Sequence, residues 1–196
     1  MEIFNKKSLN KDEIIQFEIS DDVTKKVSNF YGKNPFPSYD NDENKYSLIS
    51  KGNKNIFAKK FKDFIGLNKK VLEVGSGTSQ FALYLSIGTN NQIFALDPTL
   101  ESLKLGQKFA KSNNIENTYF VKADIFDDVL NEKVFDFIWC NGVLHHTKDP
   151  YEAFKIVLKP LKKDGIIVLG VYNRIARIRT LIRKYLYKIF GKKMVM

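Results

Sequence analysis

The chain has 196 residues, of which 43% are hydrophobic, 13% aromatic and 28% charged, with a formal net charge of +10. This composition supplies one apolar core, excludes a mainly disordered chain, and at this length disfavours two compact domains. One cysteine, Cys140, and two adjacent histidines, His145 and His146, exclude an internal disulfide and a cysteine metal cage, so no metal site is expected.

The N-terminus, Met1 to Lys7, lacks the basic-then-apolar layout of a secretory signal. No run nears the roughly 18 apolar residues needed to span a bilayer. A cytoplasmic protein is expected. Residues 1–54 read as an extension of the main domain, with a short helix over Asp21 to Phe30 and a polar loop over 40–54. Between them, Phe30 to Asp40 crowds four aromatics around Pro35, Pro37 and Gly32, which argues against regular structure. Tyr31, Phe36 and Tyr39 are candidates for a lid over a ligand or acceptor. Packing of the same loop on the core as a strap explains them equally well.

Residues 55–172 read as one α/β domain. Ile56, Phe57, Phe61, Phe64 and Ile65 make a helical stripe ended by Gly66. Short apolar runs follow at Val71–Val74, Ile93–Leu96, Tyr119–Val121, Phe135–Cys140 and Gly165–Val171. Helix-periodic stretches separate them. Apolar runs without alternation are strands buried on both faces, which predicts a doubly wound, mostly parallel, five-stranded sheet with helices on both faces.

In such sheets ligands sit beyond the carboxyl ends of strands. The first run ends in Glu73-Val74-Gly75-Ser76-Gly77, where two glycines permit a tight turn and close approach of a ligand to backbone amides. A dinucleotide fingerprint expects Gly or Ala where this chain has Gln80, and the acid at Glu73 repels phosphate. Both details disfavour NAD and favour a cationic nucleoside such as S-adenosylmethionine, which carries an ammonium and a sulfonium. Asp97 ends the second run, 22 positions after Gly75, close to the spacing of a ribose-binding acid. With Pro98 behind it, Asp97 is also a helix-capping candidate. Asp124 ends the third run and is suited to receive an adenine amino group.

These segments, together with Asp136 to Thr147 and the Lys159–Gly165 turn, resemble the ordered motifs of Rossmann-like S-adenosylmethionine-dependent methyltransferases. The resemblance implies that Glu73, Gly75, Ser76 and Gly77 surround the methionine part of the cofactor. It further implies that Asp97 holds the ribose, that Asp124 and the Ile125 backbone hold the adenine, and that Asn141 lies beside the transferable methyl. Two departures stand out: Ser79 replaces a frequent third glycine, and the family's C-terminal antiparallel strand pair is missing, which leaves the fifth run as an uncovered edge.

His145 and His146 follow the fourth run, where a neutral imidazole can accept a proton from an acceptor near pH 7. The alternative is one packed and one solvated histidine, with neither acting as base. From Tyr172 to Met196 there are eight basic residues and no acid, which leaves 24 basic against 22 acidic residues in the body. Residues 173–196 predict a basic amphipathic helix. It either packs on the sheet or binds an anionic membrane surface or RNA through residues 173–193. A homo-oligomer or further sequence is the other means of covering the fifth run.

The near-neutral body offers no groove for a polynucleotide. The expected function is therefore methyl transfer to a small-molecule or lipid-like acceptor. The alternative is a cofactor-binding or interaction module without turnover, its tail docking membrane, RNA or a protein.

Overall fold

The parallel sheet forms because each central run is apolar at every position, so both faces must be covered. In the computed structural model, which describes residues 3–9, 14–40, 42–171, 178, 182–183 and 185–187, the central strands are β2 (Lys70–Val74), β3 (Gln92–Asp97), β4 (Thr118–Lys122), β5 (Phe135–Asn141) and β6 (Leu161–Gly170). A sixth strand, β1 (Ile14–Gln16), extends the sheet to the order β1-β4-β3-β2-β5-β6. Every strand pairing is parallel. The chain leaves β2 towards β3 and β4 on one side and returns to β5 and β6 on the other. The reversal point thus lies at the carboxyl end of β2, where open α/β sheets bind ligands.

The sheet divides the core into two layers. On one face Val71, Ile93, Ala95, Phe120, Phe137 and Trp139 pack against α3 (Ile56–Ile65), α4 (Gln80–Ser86) and α5 (Leu100–Ser112). On the other, Leu72, Val74, Leu96, Val121, Ile138 and Cys140 pack with Ala153 and Val157 of α6 (Pro150–Leu158). Neighbouring residues of one strand serve opposite layers, which is why no alternation is visible in the sequence.

The N-terminal 54 residues are more ordered than expected. β1 joins the sheet through the register Ile14↔Phe120 and Ile15↔Val121, and so lies against the outer edge of β4. The expected helix extends past Phe30 to form α1 (Asp22–Lys33), taking Tyr31 and Gly32 out of the aromatic loop. The expected loop over 40–54 contains α2 (Lys45–Lys54). Asn44 caps it with a reciprocal Ser47 contact, and Leu48 is its one buried residue.

At the opposite edge β6 begins at Leu161, inside the expected turn, and presents Ile166 and Leu169 to solvent. Among the described residues no strand pairs with its outer side. Most of the expected basic helix lies outside the described residues, and those that are described have helical backbone and are exposed. No described helix is long and apolar enough to cross a membrane.

Two asparagines absent from the sequence expectations lock the amino end of the sheet. Buried Asn91 accepts the Lys69 amide at 2.8 Å and donates to Gly66 O at 2.8 Å, while Asn117 donates to the carbonyls of Ser86, Thr89 and Asn91. Replacing Asn91 by Ala leaves the part-buried Lys69 amide and Gly66 carbonyl without their partner and opens a gap where the buried side chain stood. We expect Asn91→Ala to cost about 2–4 kcal/mol, read from the urea midpoint at unchanged slope.

Candidate functional site

The turn after β2 hangs on β3. The amides of Gly75 and Ser76 both donate to Leu96 O, at 2.8 and 3.1 Å, and Gly77 N–H donates to Asp97 Oδ2 at 2.8 Å. Gly77 has φ +54°, and a Cβ there would stand 2.3 Å from Phe36 O. Glycine is required twice over, for backbone conformation and for space. Ser79, at the position of the frequent third glycine, is also left-handed (φ +63°), a conformation that costs a non-glycine residue about 1–2 kcal/mol.

In that conformation Ser79 makes no side-chain cap for α4. The cap comes instead from Glu73, whose Oε2 accepts the Ala82 amide at 2.9 Å. Asp97 is shared in the same way, with Oδ2 on Gly77 N and Oδ1 on Thr99 N at 2.8 Å, so that it couples the glycine turn to the start of α5. Asp124 Oδ1 accepts Phe126 N at 3.3 Å, closing a 3-10 turn that begins at Ile125. Its buried Oδ2 has no hydrogen bond within 3.5 Å.

The three strand-end acids are therefore brought onto adjacent strands, and all are buried. Burial pushes the Glu73 carboxyl up to about 8, with the Asp97 charge adding to the rise and the Ala82 amide opposing it. Burial also raises Asp97 against the pull of the Thr99 and Gly77 amides. Asp124 is raised by burial too, moderated by nearby Thr24 of α1. A site of this kind gains from any cation that enters it.

The aromatic loop lies directly on the glycine turn. Thr78 N–H donates to Phe36 O (3.4 Å), Thr78 Oγ1 to Pro37 O (2.6 Å) and Gln80 Nε2 to Ser38 O (2.9 Å). Tyr39 donates its hydroxyl to Thr78 O at 2.8 Å and stacks on Phe109 with centroids 4.8 Å apart. Tyr39 thus anchors the loop, whereas the Phe36 ring is largely exposed. Tyr31 faces partly outward from α1 against Phe30.

Two polar contacts hold α1. Ser28 Oγ donates to Pro98 O at 3.1 Å, and Asp21, at its N-cap, pairs with Lys148 at 2.8 Å. Lys148 also stands 4.5 Å over the Phe126 ring. α1 thereby reaches both the start of α5 and the segment after β5.

After β5, Gly142 N–H donates to Gly170 O at 2.8 Å, and Val143 packs where a Cβ on Gly75 would be. Asn141 is exposed and leans its Oδ1 over Gly170 of β6. His145 and His146 occupy a 3-10 turn with ring centroids 4.1 Å apart, the first half-buried and the second exposed. Among the described residues no cluster suited to a metal exists. Sequence reasoning missed Val143, Thr78 and the Asp21–Lys148 pair. Only Asp21 carried a signal, as a polar residue just before a helical stretch.

Glu73 gives the site a measurable pH signature. Its folded value lies above its ordinary value near 4.5, so the native state holds more protons than the unfolded chain between about 4.5 and 8. Across that window stability falls as pH rises. We expect Glu73→Gln to gain stability relative to the parent chain with increasing pH, levelling off above about 8. Urea denaturation of both proteins across the window is the check.

A family model described as a methyltransferase domain matches residues 65–190. An uncharacterised methyltransferase of Bacillus subtilis, YcgJ, is 30% identical over 100 residues, 51% of this chain and 39% of that protein. A ubiquinone biosynthesis O-methyltransferase of Glaesserella parasuis is 28% identical over 134 residues, 63% of this chain and 55% of that protein. The chain spans between 26% and 55% of the length of these and a third curated relative. Among solved structures, an S-adenosylmethionine-dependent methyltransferase described as putative, from Methanococcus maripaludis, superimposes with a TM-score of 0.56 at 20% identity. That match covers 92% of this chain and 81% of the other. The doubly wound sheet, the motifs at its strand ends and the family match together make this chain a member of the Rossmann-like S-adenosylmethionine-dependent methyltransferases.

Proposed function

We propose that the chain transfers a methyl group from S-adenosylmethionine to a small-molecule or lipid-like acceptor. The observation that carries this reading is the set of buried carboxylates with raised pKa on β2, β3 and β4 around a two-glycine turn. That set fits a nucleoside that is cationic and lacks phosphate. When bound, S-adenosylmethionine supplies an electrophilic methyl on a positively charged sulfur.

The residues divide the binding task. Glu73, Gly75, Ser76 and Gly77 surround the amino-acid part. Asp97 accepts one amide on each oxygen as well as the Thr99 side chain, and its remaining acceptor capacity takes the ribose hydroxyls, with Pro98 behind it. Asp124 Oδ2 and the Ile125 backbone read the adenine edge, and Asn141 lies beside the methionine part. Either His145 or His146 takes the proton from an acceptor hydroxyl or amine. The segment from Tyr31 to Tyr39 keeps water from the reacting centre, with Phe36 and Tyr31 towards the acceptor. A near-neutral body and relatives named for ubiquinone biosynthesis both favour a small, weakly polar acceptor over a nucleic acid.

Among the described residues no strand covers the outer side of β6, which favours a second reading, a module that binds the cofactor without turning over. Calorimetry with S-adenosylhomocysteine and labelled-methyl transfer to a panel of phenols and amines separate the two. We expect binding to weaken at least tenfold in Asp124→Asn, which retains an acceptor for Phe126 N, and no binding of NAD. His145→Gln or His146→Gln lowers kcat while S-adenosylhomocysteine binding is unchanged, if that histidine is the base. A lid also requires residues 30–40 to gain hydrogen-exchange protection when S-adenosylhomocysteine binds. Unchanged protection there makes the loop a fixed strap.

A further inference from the structure

The charge of this protein is concentrated in one segment that also carries exposed apolar residues. From Tyr172 to Met196 the sequence carries Arg174, Arg177, Arg179, Arg183, Lys184, Lys188, Lys192 and Lys193 without an acid. Along the same segment Ile178, Ile182 and Leu186 recur every four residues. They have helical backbone and are 47–51% exposed. Four-residue spacing places the three on one side of a helix. Tyr185 and Tyr187 beside them are more exposed still.

The body offers a matching patch at the point where this segment begins. β6 runs parallel to its neighbours, so Val171 emerges at the carboxyl edge of the sheet, the edge that bears the glycine turn, Asp97 and Asp124. Val171 is exposed, as are Ile56 and Phe57 at the start of α3. Phe57 lies 5.4 Å from Trp139, and Trp139 is in register with Val168 of β6, which puts both apolar groups at one corner.

A partner for such a surface has to accept apolar side chains and compensate many positive charges at once. RNA meets the second demand and leaves the isoleucine and leucine stripe in water. A bilayer bearing anionic headgroups meets both. Aliphatic side chains enter the acyl boundary, tyrosines sit at headgroup level, and lysines and arginines pair with phosphate and serine headgroups. We propose that residues 172–193, with Val171, Ile56 and Phe57, form a docking face for an anionic membrane surface. Ile178, Ile182 and Leu186 enter the headgroup boundary and the carboxyl edge of the sheet faces the lipid. Docking stands on exposure and charge alone. Only the corollary, that a bilayer-dissolved acceptor reaches the site directly, rests on the proposed methyl transfer.

Co-sedimentation of the full chain with vesicles tests the docking face. We expect binding to phosphatidylcholine vesicles containing phosphatidylserine, little binding to phosphatidylcholine alone, and weakening as salt rises. Arg177→Gln, Arg183→Gln and Lys184→Gln should each weaken partition about fivefold, and the triple variant about a hundredfold. Ile182→Ser should lower the binding that persists in high salt. These variants leave the thermal midpoint and S-adenosylhomocysteine binding unchanged, so loss of vesicle binding is distinguishable from loss of fold or of the cofactor site. Failure to bind the anionic vesicles overturns the proposal, as does equal binding to both vesicle types. Tighter binding to single-stranded RNA that Ile182→Ser leaves intact assigns the segment to nucleic acid and overturns it too.

Discussion

A carboxylate taken out of water has to be met by donors, and that requirement organises the centre of this protein. Glu73 sits on the innermost strand and cannot reach solvent, so its Oε2 takes the amide of Ala82 and supplies the cap that left-handed Ser79 does not. Asp97 takes the amides of Gly77 and Thr99, tying the turn after β2 to the helix after β3. The polar groups thus fix the geometry of the glycine turn, and the turn in turn keeps the acids buried. Asp124, at the end of β4, is held less fully: its Oδ1 takes the Phe126 amide and its buried Oδ2 has no hydrogen bond within 3.5 Å.

What the sequence made legible follows from burial. The runs at Val71, Ile93, Tyr119, Phe135 and Gly165 were readable as strands because strands covered on both faces need apolar residues at successive positions, and their ends marked the acids. β1 and α2 were not readable, because little of their stability is their own. β1 is three residues held by its register with Phe120, Val121 and Lys122, and α2 depends on the Asn44 cap and one buried leucine. The start of β6 was misplaced because Lys162, Lys163 and Asp164 read as a turn; they lie in a register irregularity between the Phe135↔Leu161 and Phe137↔Ile166 pairs, where Lys162 pairs with Asp136.

The candidate site was legible to the same extent. Side chains at strand ends announced themselves, whereas the strap over the glycine turn is held mostly through the carbonyls of Phe36, Pro37 and Ser38, which leave no mark on residue type. The Asp21–Lys148 pair joins residues 127 positions apart and has no local pattern at all. Gly77 is the one place where the two views meet. The glycine expected for a ligand's approach is needed equally for the approach of Phe36 O.

The covering segment is not uniform, and its energetics assign different roles to its parts. Residues 36–39 are fastened by four hydrogen bonds to Thr78 and Gln80 and by the Tyr39 ring on Phe109, in a partly buried setting where such contacts are retained. α1 has no buried residue, and its ties are the Ser28 hydrogen bond, the Asp21–Lys148 ion pair screened by solvent and the contact of Thr24 with Asp124. Lifting α1 therefore costs far less than lifting the strap. Thr24 and Asp21 stand beside Asp124 and would leave it as α1 lifts, which uncovers that buried carboxyl.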